Sequence, residues 1–279
     1  MTRRRFPVGK TLLYVFMSLW ALTTIYPFIW VILNSFKPRG LIRSDTFSLP
    51  IGDKFTLENY VTAFKRVDIG TAYVNSIVIS GAVTVVVMVL AGLAAYAMVR
   101  YSFRLRGFLH SMIIASMMFP VFSTIIPVFR MESSWGIVNT GSIWLTRLSV
   151  VLPQIAGNLS FAIIVLMGFI RSLPVDLEEA AYLEGYNVYQ IFFRIIMPLA
   201  KPSFATVGIF TFLWSYNDLF LQMFFLRSKK FFTITRLLNE ISSQAGTNYG
   251  LMVAAVVMVV IPVLVVYIFL QNYIIKGMT

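Results

Sequence analysis

Six long apolar runs alternate along this chain with shorter polar segments, and that pattern sets the architecture before any single residue is weighed. The runs cover residues 11–34, 76–99, 108–129, 149–170, 203–226 and 250–274. Each is close to the roughly 20 residues that carry a helix across a hydrocarbon layer of about 30 Å. Helices satisfy their own backbone polar groups where water is absent, so the pattern predicts six transmembrane helices. Residues 1–279 are therefore read as a single all-α polytopic membrane domain with no separate soluble domain. Of the polar segments, residues 37–75 form the longest, with a turn at Leu49-Pro50-Ile51-Gly52-Asp53 and a short helix at Leu57–Val61. Residues 133–141 and 227–249 complete that face, with Trp and Tyr at interfacial depth.

The polar segment between the fourth and fifth runs, residues 172–202, has a pattern of its own. Pro174 followed by Asp176, Glu178 and Glu179 suits a helix N-terminus, through proline's fixed φ and the attraction of acids to the positive end of the helix dipole. Ala180, Ala181 and Tyr182 continue that helix, and Gly185 provides the left-handed residue that closes it. Asn187 and Gln190 have capping-box spacing for a second helix, with Ile191, Phe192 and Ile195 as its apolar face and Pro198 and Pro202 as its stop. A helix–glycine–helix in an otherwise apolar chain is suited to being gripped from outside the membrane.

Composition agrees: 58% hydrophobic residues against 12% charged excludes an ordinary soluble domain. The first run is too long for the apolar region of a signal peptide and is expected to remain as a span. Arg3, Arg4, Arg5 and Lys10 before that run, and Arg100, Arg104 and Arg106 between the second and third, have the density of cytoplasmic segments. The total is divided, with 11 basic residues on that side and 12 on the other. Density near the span ends is taken as the guide, because residues 37–75 also carry four acids. Six spans then place both termini, and residues 172–202, in the cytoplasm. The opposite face holds 12 basic and six acidic residues, a surplus suited to an acidic protein surface or an anionic sugar.

With no cysteine there is no disulfide or thiolate site, and one histidine, His110, is read as packing; no metal site is expected. Gly9-Lys10-Thr11 imitates the end of a phosphate-binding loop, but Arg4 stands where the earlier glycine is required, so no nucleotide site is read there. Asn217 and Asp218 fall inside the fifth run, where a carboxylate costs on the order of 2.5 to 3.5 kcal/mol and must face protein or a wet cavity. A structural role for Asp218, capping a broken helix, is favoured over substrate contact. Trp214 and Tyr216 are candidate stacking faces for a sugar ring, with packing the plainer role. Met118, Phe119 and Pro120, an apolar plug beside a kink, are the candidate gate.

The string Glu179-Ala180-Ala181, three residues, Gly185, nine residues, Ile195, one residue, Met197-Pro198 resembles the signature loop of membrane subunits in binding-protein-dependent ABC importers. It departs from that signature at Glu184, Tyr186 and Met197. Asn59-Tyr60, Tyr73–Ser76, Ala94–Arg100, Trp214–Asp218 and Gln271–Thr279 extend the likeness to the maltose-type carbohydrate permeases of the inner membrane. The resemblance implies a type I ABC importer permease fold with cytoplasmic coupling helices between helices 4 and 5. It implies that Glu179, Ala180, Ala181, Glu184, Gly185 and Pro198 couple the chain to ATPase subunits. The implied partners are a second homologous permease in a heterodimer, two ATPase subunits and an extracytoplasmic solute-binding protein in the bacterial inner membrane, without nucleic acid. ATP and Mg would be bound by the ATPase subunits, and no cofactor by this chain. The implied cargo is a di- or oligosaccharide, neutral or acidic. The alternatives are an importer of amino acids or another polar solute and, in a different class, a secondary transporter or channel, for which inverted repeats are missing.

Overall fold

The computed structural model describes residues 8–66, 68–246 and 248–278, and every regular element among them is helical. In chain order these are α1 (Val8–Ser35), α2 (Arg39–Ser44), α3 (Glu58–Arg66), α4 (Ile69–Arg100), α5 (Arg106–Ser116), α6 (Val121–Ser134) and α7 (Ile143–Ser172). There follow α8 (Asp176–Leu183), α9 (Val188–Ile191), α10 (Met197–Leu199), α11 (Lys201–Asn217), α12 (Phe220–Phe225), α13 (Ile234–Ala245) and α14 (Tyr249–Met278). By length and composition α1, α4 and α7 can each cross a membrane as one helix, while two further candidate crossings are bent pairs. α14 spans the sixth run as a 30-residue helix.

Three expectations need correction. The third run is not one helix: α5 and α6 meet at 104°, broken over Met117–Pro120. Pro120 offers no backbone N–H and biases Phe119 away from helical angles, so the chain restarts with Pro120 as the cap of α6. The fifth run is also divided, because α11 stops at Asn217 and Asp218 turns to an extended ψ of 98° before α12. The second run begins at Ile69, so Tyr73–Ser76 lie within α4 and not before it. Asp68 is responsible: its Oδ1 accepts the Thr71 N–H at 3.0 Å and caps the helix about two turns earlier than hydropathy indicates.

The chain packs as two units, one built from the described residues before Asp68 together with Leu238–Ile261, the other from Asp68–Leu237 with the remainder of α14. In the first, the chain leaving α1 folds back on itself and is ordered. Asn59 Nδ2 donates to the Ser35 and Lys37 carbonyls at 2.9 and 2.8 Å, groups that the end of α1 leaves without helical partners. Lys37 is fully buried, and its Nζ donates to the Asp45 and Thr46 carbonyls at 3.1 and 2.8 Å. Burial pulls its pKa below the ordinary lysine value, and the nearby Asp45 charge opposes that shift. Gly250 is required beside this knot, since a Cβ there would lie 2.2 Å from Asn59 Oδ1.

The second unit is organised by four-residue ridges. Ile79, Val83, Val87, Ala91 and Ala95 run down one side of α4, each at most 1% exposed. Val150, Gln154, Asn158, Ala162, Leu166 and Ile170 form the corresponding ridge on α7, and α11 packs against both helices. Small residues let the helices approach: a Cβ on Gly92 would stand 2.7 Å from the Phe204 ring of α11 and 3.0 Å from Phe192. At Gly208 the nearest obstacle is the flexible Met88 sulfur at 3.0 Å. Gly92→Ala is therefore expected to lower stability by about 1–3 kcal/mol, as overpacking does, whereas Gly208→Ala should be nearly neutral. Thermal unfolding of the purified protein in detergent checks this; equal losses at both sites would contradict the packing described.

Candidate functional site

The helix–glycine–helix segment forms as its sequence predicts, with one change. α8 opens with Asp176, Glu178 and Glu179 in its first turn. It closes in a Schellman turn, the Tyr186 N–H reaching the Ala181 carbonyl and the Gly185 N–H the Tyr182 carbonyl, both at 3.0 Å. Gly185 has φ +83°, the left-handed region that other residues enter at a cost. Asn187 and Gln190 exchange both bonds of the capping box, at 2.8 and 2.9 Å. Pro198, however, does not stop the second helix, which ends at Leu199 ahead of Pro202. A π turn at Phe192–Ile196 widens the backbone ahead of Pro198, the helical path runs on to Leu199, and the chain bends by 81° into α11 with Pro202 in its first turn. The widened turn accommodates a ring that would otherwise clash with the preceding turn.

This segment is clamped to the end of α4. Arg100 Nε donates to Glu178 Oε1 at 2.5 Å, and its Nη2 donates to the Leu173 carbonyl at the end of α7 at 2.9 Å. The two side chains are only 11% and 5% exposed. Tyr96 Oη donates to the other Glu178 oxygen at 2.8 Å, and its ring lies 5.5 Å from Phe192. One turn of α4 thus holds the end of α7, α8 and the π turn together. Of the residues the sequence reading singles out, Ala181 is buried in this contact, while Glu179, Ala180, Glu184, Gly185 and Pro198 are exposed. Leu183 is 91% exposed beside them, and Tyr189 and Phe193 extend the open apolar face. The inward carboxylate is Glu178, which the sequence reading passed over in favour of its neighbour. The signal was present: Glu178 stands three residues before the small apolar Ala181 and shares its face of α8, the face that is buried.

A second feature lies beside the break between α11 and α12. The break frees the Ser215 carbonyl, which accepts from Gln222 Nε2 at 3.1 Å and from Gln154 Nε2 at 3.5 Å. Asp218 caps α12, its Oδ1 taking the Leu221 N–H at 3.1 Å while Oδ2 accepts from Gln154 Nε2 at 3.0 Å. Next to it opens a cavity of about 400 Å³ lined by Gln154, Asn158, Trp214, Ser215 and Asp218 among apolar residues of α6, α7 and α12. The four substrate-path candidates therefore separate. Trp214 and Asp218 line the cavity, Asn217 bonds back to the Leu213 carbonyl, and Tyr216 is buried against Phe212. Gln154 and Asn158 were missed, although two amides four residues apart inside an apolar run mark one polar face. Of the gate candidates, Met118 and Phe119 stand exposed at the α5–α6 break with Pro120, and Phe119 lines an adjoining cavity of about 310 Å³. His110 lines a third cavity with Arg106 and Arg171.

Comparisons with known proteins place this geometry in context. Residues 87–279 match the family model described as "Binding-protein-dependent transport system inner membrane component". The diacetylchitobiose uptake system permease protein of Streptomyces coelicolor is 34% identical over 261 residues, covering 93% of this chain and 84% of that protein. The arabinooligosaccharides transport system permease protein of Halalkalibacterium halodurans is 29% identical, covering 100% and 98%. The trehalose transport system permease protein of Mycobacterium tuberculosis is 31% identical, covering 91% and 90%. Among solved structures, a chain of a bacterial ABC transporter involved in the import of the acidic polysaccharide alginate superposes with TM-score 0.82 at 24% identity, covering 98% of this chain and 99% of that one. That likeness concerns the fold.

Breaking the clamp on one side leaves a charge without its partner. Arg100→Met is expected to cost about 3–5 kcal/mol, because Glu178 stays buried and unpaired. Adding Glu178→Leu should restore more than half of the loss. Thermal unfolding of the single and double variants gives the coupling directly, and a double variant no more stable than Arg100→Met would remove the pair from the account.

Proposed function

This chain belongs to the family of binding-protein-dependent transport system inner membrane components, and from that premise we propose that it is one permease half of an ATP-driven importer of di- or oligosaccharides. The observation that carries the substrate class is that relatives matched over nine-tenths or more of this chain are named for uptake of diacetylchitobiose, arabinooligosaccharides and trehalose. The chain is a transporter subunit and not an enzyme. ATP and Mg are bound and turned over on two ATPase subunits, a second homologous permease completes the path, and an extracytoplasmic binding protein delivers the sugar. Both termini face the cytoplasm.

In this reading α8 and α9 are coupling helices. Glu179, Ala180, Leu183 and Glu184 present an acid-rimmed apolar face, and the small alanine lets an ATPase groove approach closely. Closure of the ATPase subunits displaces that face. Because Glu178 is paired to Arg100, and Arg100 to the end of α7, the displacement passes to α4 and α7 as rigid bodies. Two packings of one helix bundle, selected by ATP, give alternating access. Met118, Phe119 and Pro120 form the gate at the α5–α6 break, where apolar side chains part without breaking hydrogen bonds.

Reconstitution of the complete transporter in liposomes tests the proposal. Sugar uptake should require the ATPase subunits and ATP on their side; uptake by this chain alone driven by an ion gradient would sink it. Glu179→Lys and Gly185→Val should each cut transport-linked ATP hydrolysis at least about tenfold while leaving membrane insertion intact. For Gly185→Val the cause is a β-branched residue forced to positive φ, at a cost on the order of 1–2 kcal/mol or more. Unchanged hydrolysis in both variants removes the coupling role from this segment.

A further inference from the structure

The cavity beside the α11–α12 break has a chemical bias that family membership does not supply. Among the described residues lining it, the one charged side chain is Asp218, and the adjoining 310 Å³ cavity, which shares Ile125, Pro153 and Gly157 with it, has none. Its volume of about 400 Å³ falls in the range of about 300–1,000 Å³ usual for small-ligand sites. Gln154 is fully engaged: its Nε2 serves Asp218 and the Ser215 carbonyl, and its Oε1 accepts the Ser215 hydroxyl at 2.6 Å. Gln154 is thus a positioning residue that aims the Asp218 carboxylate.

What remains open to a ligand is the Asp218 carboxylate, with the Asn158 amide and Trp214 beside it. Each Asp218 oxygen receives one hydrogen bond and keeps lone-pair capacity for another. Asn158 Nδ2 donates one hydrogen to the Gln154 carbonyl at 2.7 Å, which leaves its second N–H and its amide oxygen for a ligand. Trp214, 47% exposed and steadied by the Phe161 ring at 4.8 Å, offers an aromatic surface to the same space. Acceptors beside an aromatic surface suit a ring that brings hydroxyl or amide N–H donors and an apolar C–H face. A uronic acid would instead set a second carboxylate against Asp218, and no lysine or arginine lines either cavity to offset it. Like charges in a partly dehydrated space repel by several times what they do in water.

We propose that this cavity passes sugar units without negative charge, with Asp218 as the residue that excludes uronic acids; the assignment rests on the carbohydrate-importer reading above. The basic surplus of the expected outer loops then belongs to docking of the binding protein, since none of those residues lines the cavities.

The complete transporter in lipid nanodiscs is titrated with maltose, cellobiose, N,N′-diacetylchitobiose and digalacturonate, following the tryptophan fluorescence change that Trp214→Phe abolishes. At least one neutral disaccharide is expected to give that signal and digalacturonate none. Asp218→Asn should admit digalacturonate, tightening it by about tenfold or more. Asn158→Lys, which leaves the α12 cap intact, should do the same by adding a cation. Digalacturonate binding the unaltered protein as well as the best neutral sugar, or indifferent to both variants, overturns the assignment. Failure of the importer reading itself looks different: none of the four sugars gives a signal dependent on Trp214, and the assignment falls with it.

Discussion

A carboxylate and a guanidinium taken out of water at the end of a long apolar helix have little choice but each other. The Arg100–Glu178 pair at 2.5 Å, with both side chains nearly enclosed, is that constraint here. Its net contribution to stability is modest, because desolvating two charges consumes most of their attraction. Its value is geometric. Separation would strand either charge, so α8 cannot drift from α4, and the Arg100 bond to the Leu173 carbonyl adds the end of α7 to the same joint. Tyr96 completes it, with its hydroxyl on Glu178 and its ring against Phe192, so both halves of the helix–glycine–helix segment answer to one turn of α4.

The second organising demand comes from breaking helices where water is scarce. A broken span frees carbonyls and N–H groups that must find partners within the protein. At the α11–α12 break those partners are Gln154, Gln222 and Asp218, and Gln222 in turn accepts the Thr233 hydroxyl, which fixes the following loop. At the start of α4, Asn75 does comparable work for that loop, donating to the Lys230 and Phe232 carbonyls at 3.2 and 3.1 Å while accepting from Arg147 at 2.8 Å. Buried polar side chains of an apolar chain thus serve the places where regular helix ends, even from the middle of a neighbouring helix, as Gln154 does from α7. The cavity is a by-product of the same economy: once Asp218 is present to cap α12, its unused lone pairs face open space.

Much of this was legible in the sequence, and the rest failed for identifiable reasons. Gly185, the Asn187–Gln190 capping box and the acid-rich start of α8 were readable because local backbone chemistry decides them, and they form as expected. The kink at Pro120 and the broken helix that Asp218 caps were signalled by the proline and by a carboxylate inside an apolar run, but the size of the 104° bend was not, because hydropathy measures whether a run can lie in lipid and is silent on whether it is straight. Proline gave too strong a stop signal at Pro198, where a π turn absorbs the ring, and too weak a one at Pro120. Glu178 was overlooked because a loop motif directs attention to what a partner would touch. Its pairing depends on Arg100, 78 residues away, a contact that no local pattern contains.

Distance then relates the two features. The α7 ridge that carries Gln154 and Asn158 continues through Ala162, Leu166 and Ile170 to Leu173, the carbonyl held by Arg100. At about 1.5 Å per residue, Asn158 lies roughly 22 Å along the helix from that joint. Close packing along the ridges leaves little slack to absorb a displacement, since cores of this kind move between discrete arrangements in preference to deforming. A push on the exposed face of α8 would then be felt at Asn158 as a tilt or shift of the whole helix, although no side chain connects the two directly. Distortion would be concentrated where the helices are already broken, at Met117–Pro120, at Asp218 and at the 81° bend before α11. Those three places already lack a continuous helical ladder, which makes them the hinges of any change that opens the cavity to one side and then the other.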